Sequence, residues 1–170
     1  MNPLALPNTD FTLAHSLLRQ RWPVLVTELL RRTPPLPLRV IEVFRSDRRQ
    51  AWLYGQGRTV AQLRAVDLDP GFARPGPIVT NAYSAALSAH GWRLADGTPA
   101  SCALDVVPVG ADGQPWTRDD PWEEFVAAVR AVGDKIGLRH FSKPGKPPWD
   151  KPHLQLVEWN DRLHRLVLPV

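Results

Sequence analysis

LSAHGWRLADGTPASCALDVVPV spans residues 87–109, and its second half decides the fold. In ALDVVPV, residues 103–109, apolar and β-branched residues surround a single acid, Asp105. That pattern reads as a strand entering the core. The first half is polar, contains Gly and Pro, and carries Ser88 and His90. Two readings follow. One is a loop with incidental polar residues. The other is a metal site that closes when the chain folds, with His90 and Asp105 at its two ends.

The neighbouring stretches supply the rest of a sheet and its helices. LRVIEVF, residues 38–44, is rich in β-branched and aromatic residues and predicts a strand. After it, Ser46 or Asp47 can cap a helix that stops near Gly55 or Gly57. Residues 64–79, rich in Pro, Gly and Asp, read as loop, and residues 80–87 as a short helix or turn. GADGQP is a turn. Asp120 is placed to cap a helix with Pro121 at its first position and Gly137 at its end. LRHF, residues 138–141, can form a strand. KPGKPPWDKP is a rigid loop, and HLQLVEW, residues 153–159, alternates like a strand.

Towards the N-terminus, residues 1–9 read as irregular. Phe11, Ala14, Leu18, Trp22, Leu25 and Leu29 recur at helical spacing, interrupted by Pro23. The expectation is two helices or one kinked helix. TPPLP, residues 33–37, is a stiff extended connector. Residues 1–37 are therefore expected as a helical arm and residues 38–170 as the main domain, the two forming one structural unit. Strands and helices alternate with too few β-α-β units for a doubly wound fold. The fold class expected is α+β, a small antiparallel sheet with helices packed on it.

The chain of 170 residues is long enough to bury a core without disulfides. Its one cysteine, Cys102, cannot form an internal bridge. Beside Ala103 and Leu104 that cysteine reads as a buried or half-buried small residue, and nothing adjacent would lower its pKa to make it a nucleophile. No apolar run reaches the roughly 18–20 residues of a membrane span, and the first residues lack the basic and apolar regions of a secretory signal. A cytoplasmic protein is expected, as a monomer with no membrane partner. The formal net charge of +4 favours an anionic partner. A nucleic-acid binder is the weakest reading, since no helix has a basic face and no zinc-finger or RNA-binding signature is present.

Three clusters can carry chemistry: FRSDRRQ (44–50), the stretch with Ser88, His90 and Asp105, and DKPHLQL (150–156). Asp150 precedes His153 by three, with Pro152 fixing the backbone between them. A histidine at the start of a buried strand is held as a ligand should be. Two histidines and a carboxylate with an open position suit hydrolytic zinc, with a further carboxylate to move the proton.

FRSDRRQAWLYGQGRT, residues 44–59, resembles the Y-R-S-x-x-x-Q-x-x-L-Y-x-x-G-R-T segment of the zinc D-Ala-D-Ala carboxypeptidase and L-alanyl-D-glutamate endopeptidase family. This group of bacterial cell-wall peptidases includes phage endolysins. SAH with ASCALDVVPV resembles the two halves of the family's S-x-H-x-x-G-x-A-x-D motif, and DKPHLQLVEW resembles its last motif. The resemblance covers about residues 38–159. It implies a zinc site in a cleft on the sheet, with His90, Asp105 and His153 as ligands. It implies Asp150 as general base, Arg45 as stabiliser of the oxyanion, and Ser88 and Gln50 as residues that shape the site or contact substrate. The substrate implied is a peptidoglycan stem peptide, and the location implied is cytoplasmic or, for a phage-encoded protein, release to the cell wall.

One feature departs from the family. There the aspartate follows the histidine by seven, whereas here Asp105 follows His90 by fifteen. Either eight residues bulge out between the two ligands, or Asp96 is the ligand. Asp105 is preferred, because Ala103 and Asp105 reproduce the A-x-D and lead into the strand, while Asp96 lies in a turn signal, ADG. A third outcome is a degenerate site that binds no metal, which would leave a catalytically inactive wall-binding module on the same fold.

Overall fold

The computed structural model describes residues 6–117, 120–140 and 151–161. Their architecture is α+β. Four strands, β1 (Leu38–Glu42), β2 (Ala103–Pro108), β3 (Leu138–His140) and β4 (His153–Leu156), form one sheet in the order β1-β2-β4-β3. Every neighbouring pair is antiparallel. The helices are α1 (Ser16–Leu30), α2 (Asp47–Tyr54), α3 (Val60–Arg64) and α4 (Trp122–Ile136).

β2 is covered on both faces, and all six of its residues are buried. That is why its sequence runs nearly continuously apolar. Side chains alternate along a strand, so Leu104 and Val106 share one face, and Asp105 lies on the other. On the first face they join Leu154 and Leu156 of β4, Leu18, Leu25 and Leu29 of α1, and Phe125 and Val129 of α4 in a single core. Asp105 faces His153 directly in the β2–β4 register, and Ala103 faces Gln155. The sheet therefore has an apolar face under α1 and α4 and a second face that collects its polar residues.

A bulge completes this second face. Val40 pairs with Val106, but the next β2 residue, Asp105, pairs with Glu42, so Ile41 is an extra residue on β1. One inserted residue switches the face on which later side chains fall. Glu42 is thereby moved to the side of Asp105, where it is buried.

Several elements differ from the sequence expectation. α1 runs unbroken from Ser16 to Leu30 with Pro23 inside it. The proline costs about 3 kcal/mol of helix propensity, but Leu18, Leu25 and Leu29 are all fully buried by the same helix and outweigh it. These residues also place α1 in the common core. Asp120 does not cap α4. Its carboxylate accepts from the backbone N–H and hydroxyl of Thr117, at 2.5 and 2.9 Å, closing the preceding turn. Pro121 is the N-cap of α4, without a side-chain cap bond, and Gly137 ends it at φ 71°. β1 stops at Glu42, two residues before the expected end. β4 stops at Leu156, and Val157–Asp161 form a 3-10 turn instead of continuing the strand. There Arg21 of α1 pairs with Glu158 at 2.5 Å and pulls the chain toward the helix. α3 was not expected. Its signal is a capping box in which the Thr59 hydroxyl and the Gln62 side chain reciprocally accept backbone N–H groups.

Candidate metal centre

Each arm of the site is set by local structure. Ser46 caps α2 by accepting from Arg49 N–H, which starts the helix immediately after Arg45. The chain then returns through residues 80–91 alongside α2. Gln50 donates from Nε2 to Ala82 O at 2.7 Å and to Thr80 Oγ1 at 3.2 Å, and Asp47 accepts from Ala85 N–H at 3.3 Å. Ser88 Oγ accepts from His90 N–H and caps the 3-10 turn Ala89–Gly91. Gly91 permits that turn, since a Cβ there would lie 2.3 Å from Ala85 O. His90 O accepts from Arg45 N–H at 3.1 Å, tying the turn to the end of β1.

The long interval between His90 and Asp105 is a small hairpin. Arg93 and Pro99 pair antiparallel, Leu94 N–H donates to Thr98 O, and Gly97 takes φ +85° at the turn. Ala100 N–H donates to Trp92 O and Cys102 N–H to Ala89 O, so the base of the hairpin is closed. Arg93 lies over the Phe44 ring at 4.9 Å, and Trp92 packs edge-on against Trp159. The extra residues bulge away, and both ends remain in place. Asp96 is not a ligand candidate. It is exposed at the hairpin tip, where its carboxylate accepts from Thr98 N–H. That alternative from the sequence is excluded.

His90, Asp105 and His153 converge, all three buried. His90 Nε2 is 3.1 Å from Asp105 Oδ1 and 3.2 Å from His153 Nδ1, and His153 Nδ1 is 3.2 Å from Asp105 Oδ1. The far nitrogen of each ring is engaged elsewhere. His90 Nδ1–H donates to Val43 O at 2.7 Å. His153 Nε2–H donates to Gln155 Oε1 at 3.0 Å. These bonds select the tautomers whose lone pairs point inward, the arrangement that outer hydrogen bonds produce at histidine metal ligands.

The electrostatics agree. Burial pushes the His90 imidazole below its ordinary pKa, and the charge of Arg45 adds to the effect, so the ring is neutral at pH 7. Burial alone would raise the Asp105 carboxyl. The positive charge of Arg45, whose guanidinium sits on Oδ2, overcomes it and holds the group well below the usual carboxylate range. Two lone pairs and a carboxylate oxygen thus meet at one point. Such a set is repulsive alone and favourable around a cation. A tetrahedral zinc with bonds of about 2.0–2.2 Å separates its ligand atoms by roughly 3.3–3.6 Å. The observed triangle needs to open by only a few tenths of an ångström. The residues fit a divalent metal ion.

The remaining residues singled out from the sequence fall as follows. Arg45 donates from Nη2 to Asp105 Oδ2 and from Nε to Glu42 Oε2, the latter at 2.7 Å. Ser88 positions His90 through its turn. Gln50 is fully buried, and among the described residues its Oε1 accepts no hydrogen bond. Asp150 lies outside the described residues. Cys102 is buried, and burial pushes its thiol up to about 12. Sequence reasoning missed Glu42 and Gln155. Gln155 was detectable, because the alternation of HLQL places it on the face of His153. Glu42 was not, because the bulge at Ile41 carries no Gly or Pro mark.

Compared with known proteins, the chain matches no protein-family model, and no curated protein is significantly similar to it. No helix among the described residues is long and apolar enough to cross a membrane.

Proposed function

We propose that the protein is a zinc-dependent peptidase that cleaves peptidoglycan stem peptides. The observation that carries the reading is the triangle of His90 Nε2, Asp105 Oδ1 and His153 Nδ1, with each outward N–H tied down. Two nitrogens and one carboxylate oxygen leave a fourth position open, the ligand set of hydrolytic rather than structural zinc. Zinc bound there supplies a Lewis acid for the scissile carbonyl and lowers the pKa of a water to near 7. The protein's own groups do the rest. His90, Asp105 and His153 hold the ion. Arg45, with two bonds already fixing its orientation, sets a positive charge beside the site where an oxyanion develops. Asp150 is assigned the proton transfers. It precedes His153 by three residues in the sequence. The net charge of +4 suits an anionic polymer.

The test combines zinc analysis of the purified protein with mass spectrometry of products from peptidoglycan. Wild type is expected to hold one zinc and release stem-peptide fragments. Asp150→Ala is expected to keep the zinc and lose turnover by about 10²–10⁴-fold. A zinc-free protein, or an Asp150→Ala variant with wild-type products and rate, would overturn the reading.

A second reading is a wall-binding module that does no chemistry. It is favoured by the engagement of Arg45 with Glu42 and Asp105. It requires wall binding that survives a chelator and His153→Ala.

A further inference from the structure

Glu42 is a buried carboxylate that belongs to no part of the ligand triangle. The bulge at Ile41 places it opposite Asp105 on the polar face of the sheet. Both of its oxygens are engaged by arginine. Oε2 accepts from Arg45 Nε at 2.7 Å, and Oε1 accepts from Arg49 Nε at 2.8 Å. All three side chains are largely withdrawn from solvent. Arg45 in turn reaches Asp105 through Nη2, and it contacts Oδ2, while Oδ1 faces the two histidines.

Two consequences follow from this order of contacts. The first is geometric. A carboxylate can give a metal one oxygen or both. With Oδ2 held by a guanidinium, Asp105 has only Oδ1 to offer. Arg45 can hold it only if its own planar head is fixed, and Glu42 fixes it through Nε, which leaves Nη2 aimed at Asp105. The second is electrostatic. Arg45 and Arg49 would place two buried positive charges beside a site for a dication. Glu42 and Asp105 together neutralise them, so the ion meets no net repulsion from this wall.

We propose that Glu42 is a positioning residue for the metal centre, holding Arg45 on Oδ2 so that Asp105 binds the ion through one oxygen. This rests on the reading of the triangle as a metal site. It makes the site four-coordinate, with three protein atoms and one exchangeable position. Without Glu42, the guanidinium loses the contact at Nε that aims Nη2 at Asp105, its hold on Oδ2 loosens, Oδ2 joins Oδ1, and the coordination number rises.

Cobalt(II) reports coordination number directly, because four-coordinate cobalt absorbs strongly in the visible and five-coordinate cobalt weakly. The metal-free protein is titrated with cobalt(II), as wild type, Glu42→Gln and Arg45→Leu, with far-UV circular dichroism to establish that each is folded. Wild type is expected to give the intense four-coordinate spectrum. Glu42→Gln is expected to give the weak five-coordinate spectrum and a cobalt Kd raised about 10–100-fold, the usual size of an outer-shell effect. Arg45→Leu releases Oδ2 from the other end and is expected to give the same weak spectrum, so it carries the test if Glu42→Gln does not fold. A folded variant of either kind with wild-type intensity overturns the role of Glu42. A wild type that takes up no cobalt overturns the metal centre itself, and that result is read before any variant is made.

Discussion

His90 Nε2 and His153 Nδ1 lie 3.2 Å apart, and the opposite nitrogen of each ring donates a hydrogen bond outward. Neither ring can therefore donate to the other. The contact places lone pair against lone pair, beside an ionised Asp105, inside the fold. A cation at that point converts repulsion into attraction, and a ligand bound only by the native state stabilises by mass action. At a thousandfold excess over Kd that is about 4 kcal/mol. For a chain of this length it corresponds to roughly 8–16 °C in Tm. Differential scanning fluorimetry with and without zinc measures it. Asp105→Ala and His153→Ala should abolish the zinc-dependent rise. An unchanged Tm in wild type at saturating zinc contradicts the site.

His140 governs acid stability away from the candidate metal centre. It is buried on the helix-covered face, edge-on to Phe125, and donates from Nε2 to Lys151 O at 2.8 Å. Burial pushes it down to about 4. The unfolded chain holds this histidine near 6.5, so between pH 4 and 6.5 the unfolded state binds the extra proton. Stability is then present above 6.5 and lost as the pH falls toward 4. Between pH 7 and 5 the loss is about 2 kcal/mol from this residue. Urea denaturation of the metal-free protein at the two pH values measures it. His140→Gln, which keeps a donor for Lys151 O, should show a smaller pH dependence by that amount.

The His90, Asp105 and His153 set was legible only through the joint resemblance of three motifs to one family, while period-2 alternation marked the strands that carry Asp105 and His153. ALDVVPV and HLQL each announce which residues share a face, and antiparallel pairing of β2 with β4 sets Asp105 against His153. His90 needed the motif around it, since no periodicity marks a 3-10 turn. Other features depended on tertiary structure. Pro23 breaks helices by local propensity, yet three buried leucines keep α1 whole. Asp120 has the residue type of a cap, but its carboxylate accepts from the N–H and hydroxyl of Thr117, and α4 begins after Pro121 without a side-chain cap. Without the bulge, Glu42 would share the face of Val40, toward the helices. A single unmarked inserted residue therefore hid the carboxylate that holds Arg45.

Cys102 should be chemically silent. It is buried beside the first residue of β2, and burial is the largest influence raising its thiol to about 12. The thiolate, which is the nucleophile, is then scarce at neutral pH. Iodoacetamide at pH 8 should leave the folded protein unmodified and alkylate it in urea, as read by mass spectrometry. On the proposed peptidase reading, Cys102→Ala should keep wild-type turnover. Rapid alkylation of the folded chain, or loss of turnover in that variant, would restore the thiol as a candidate nucleophile.

The hairpin between His90 and Asp105 bears on whether the extended motif is a lesion. Its base is closed by Ala100 N–H to Trp92 O, inside the interval, and by Cys102 N–H to Ala89 O, which reaches across to the residue before His90. The ligands are held by these bonds and by the outer contacts of His90, not by the tip. Replacing residues 93–99 with Asn-Gly, a pair suited to a tight hairpin turn, should therefore leave zinc affinity within about threefold. Losing Arg93 from the Phe44 ring should cost about 1 kcal/mol of stability. Isothermal titration with zinc and urea denaturation measure the two effects separately. A hundredfold loss of zinc affinity in a folded variant would show that the tip, and not its base, organises the ligands. Unchanged affinity with a raised KM for stem peptide would place the hairpin on the substrate side of the centre, a loop added to the cleft of an intact metal site.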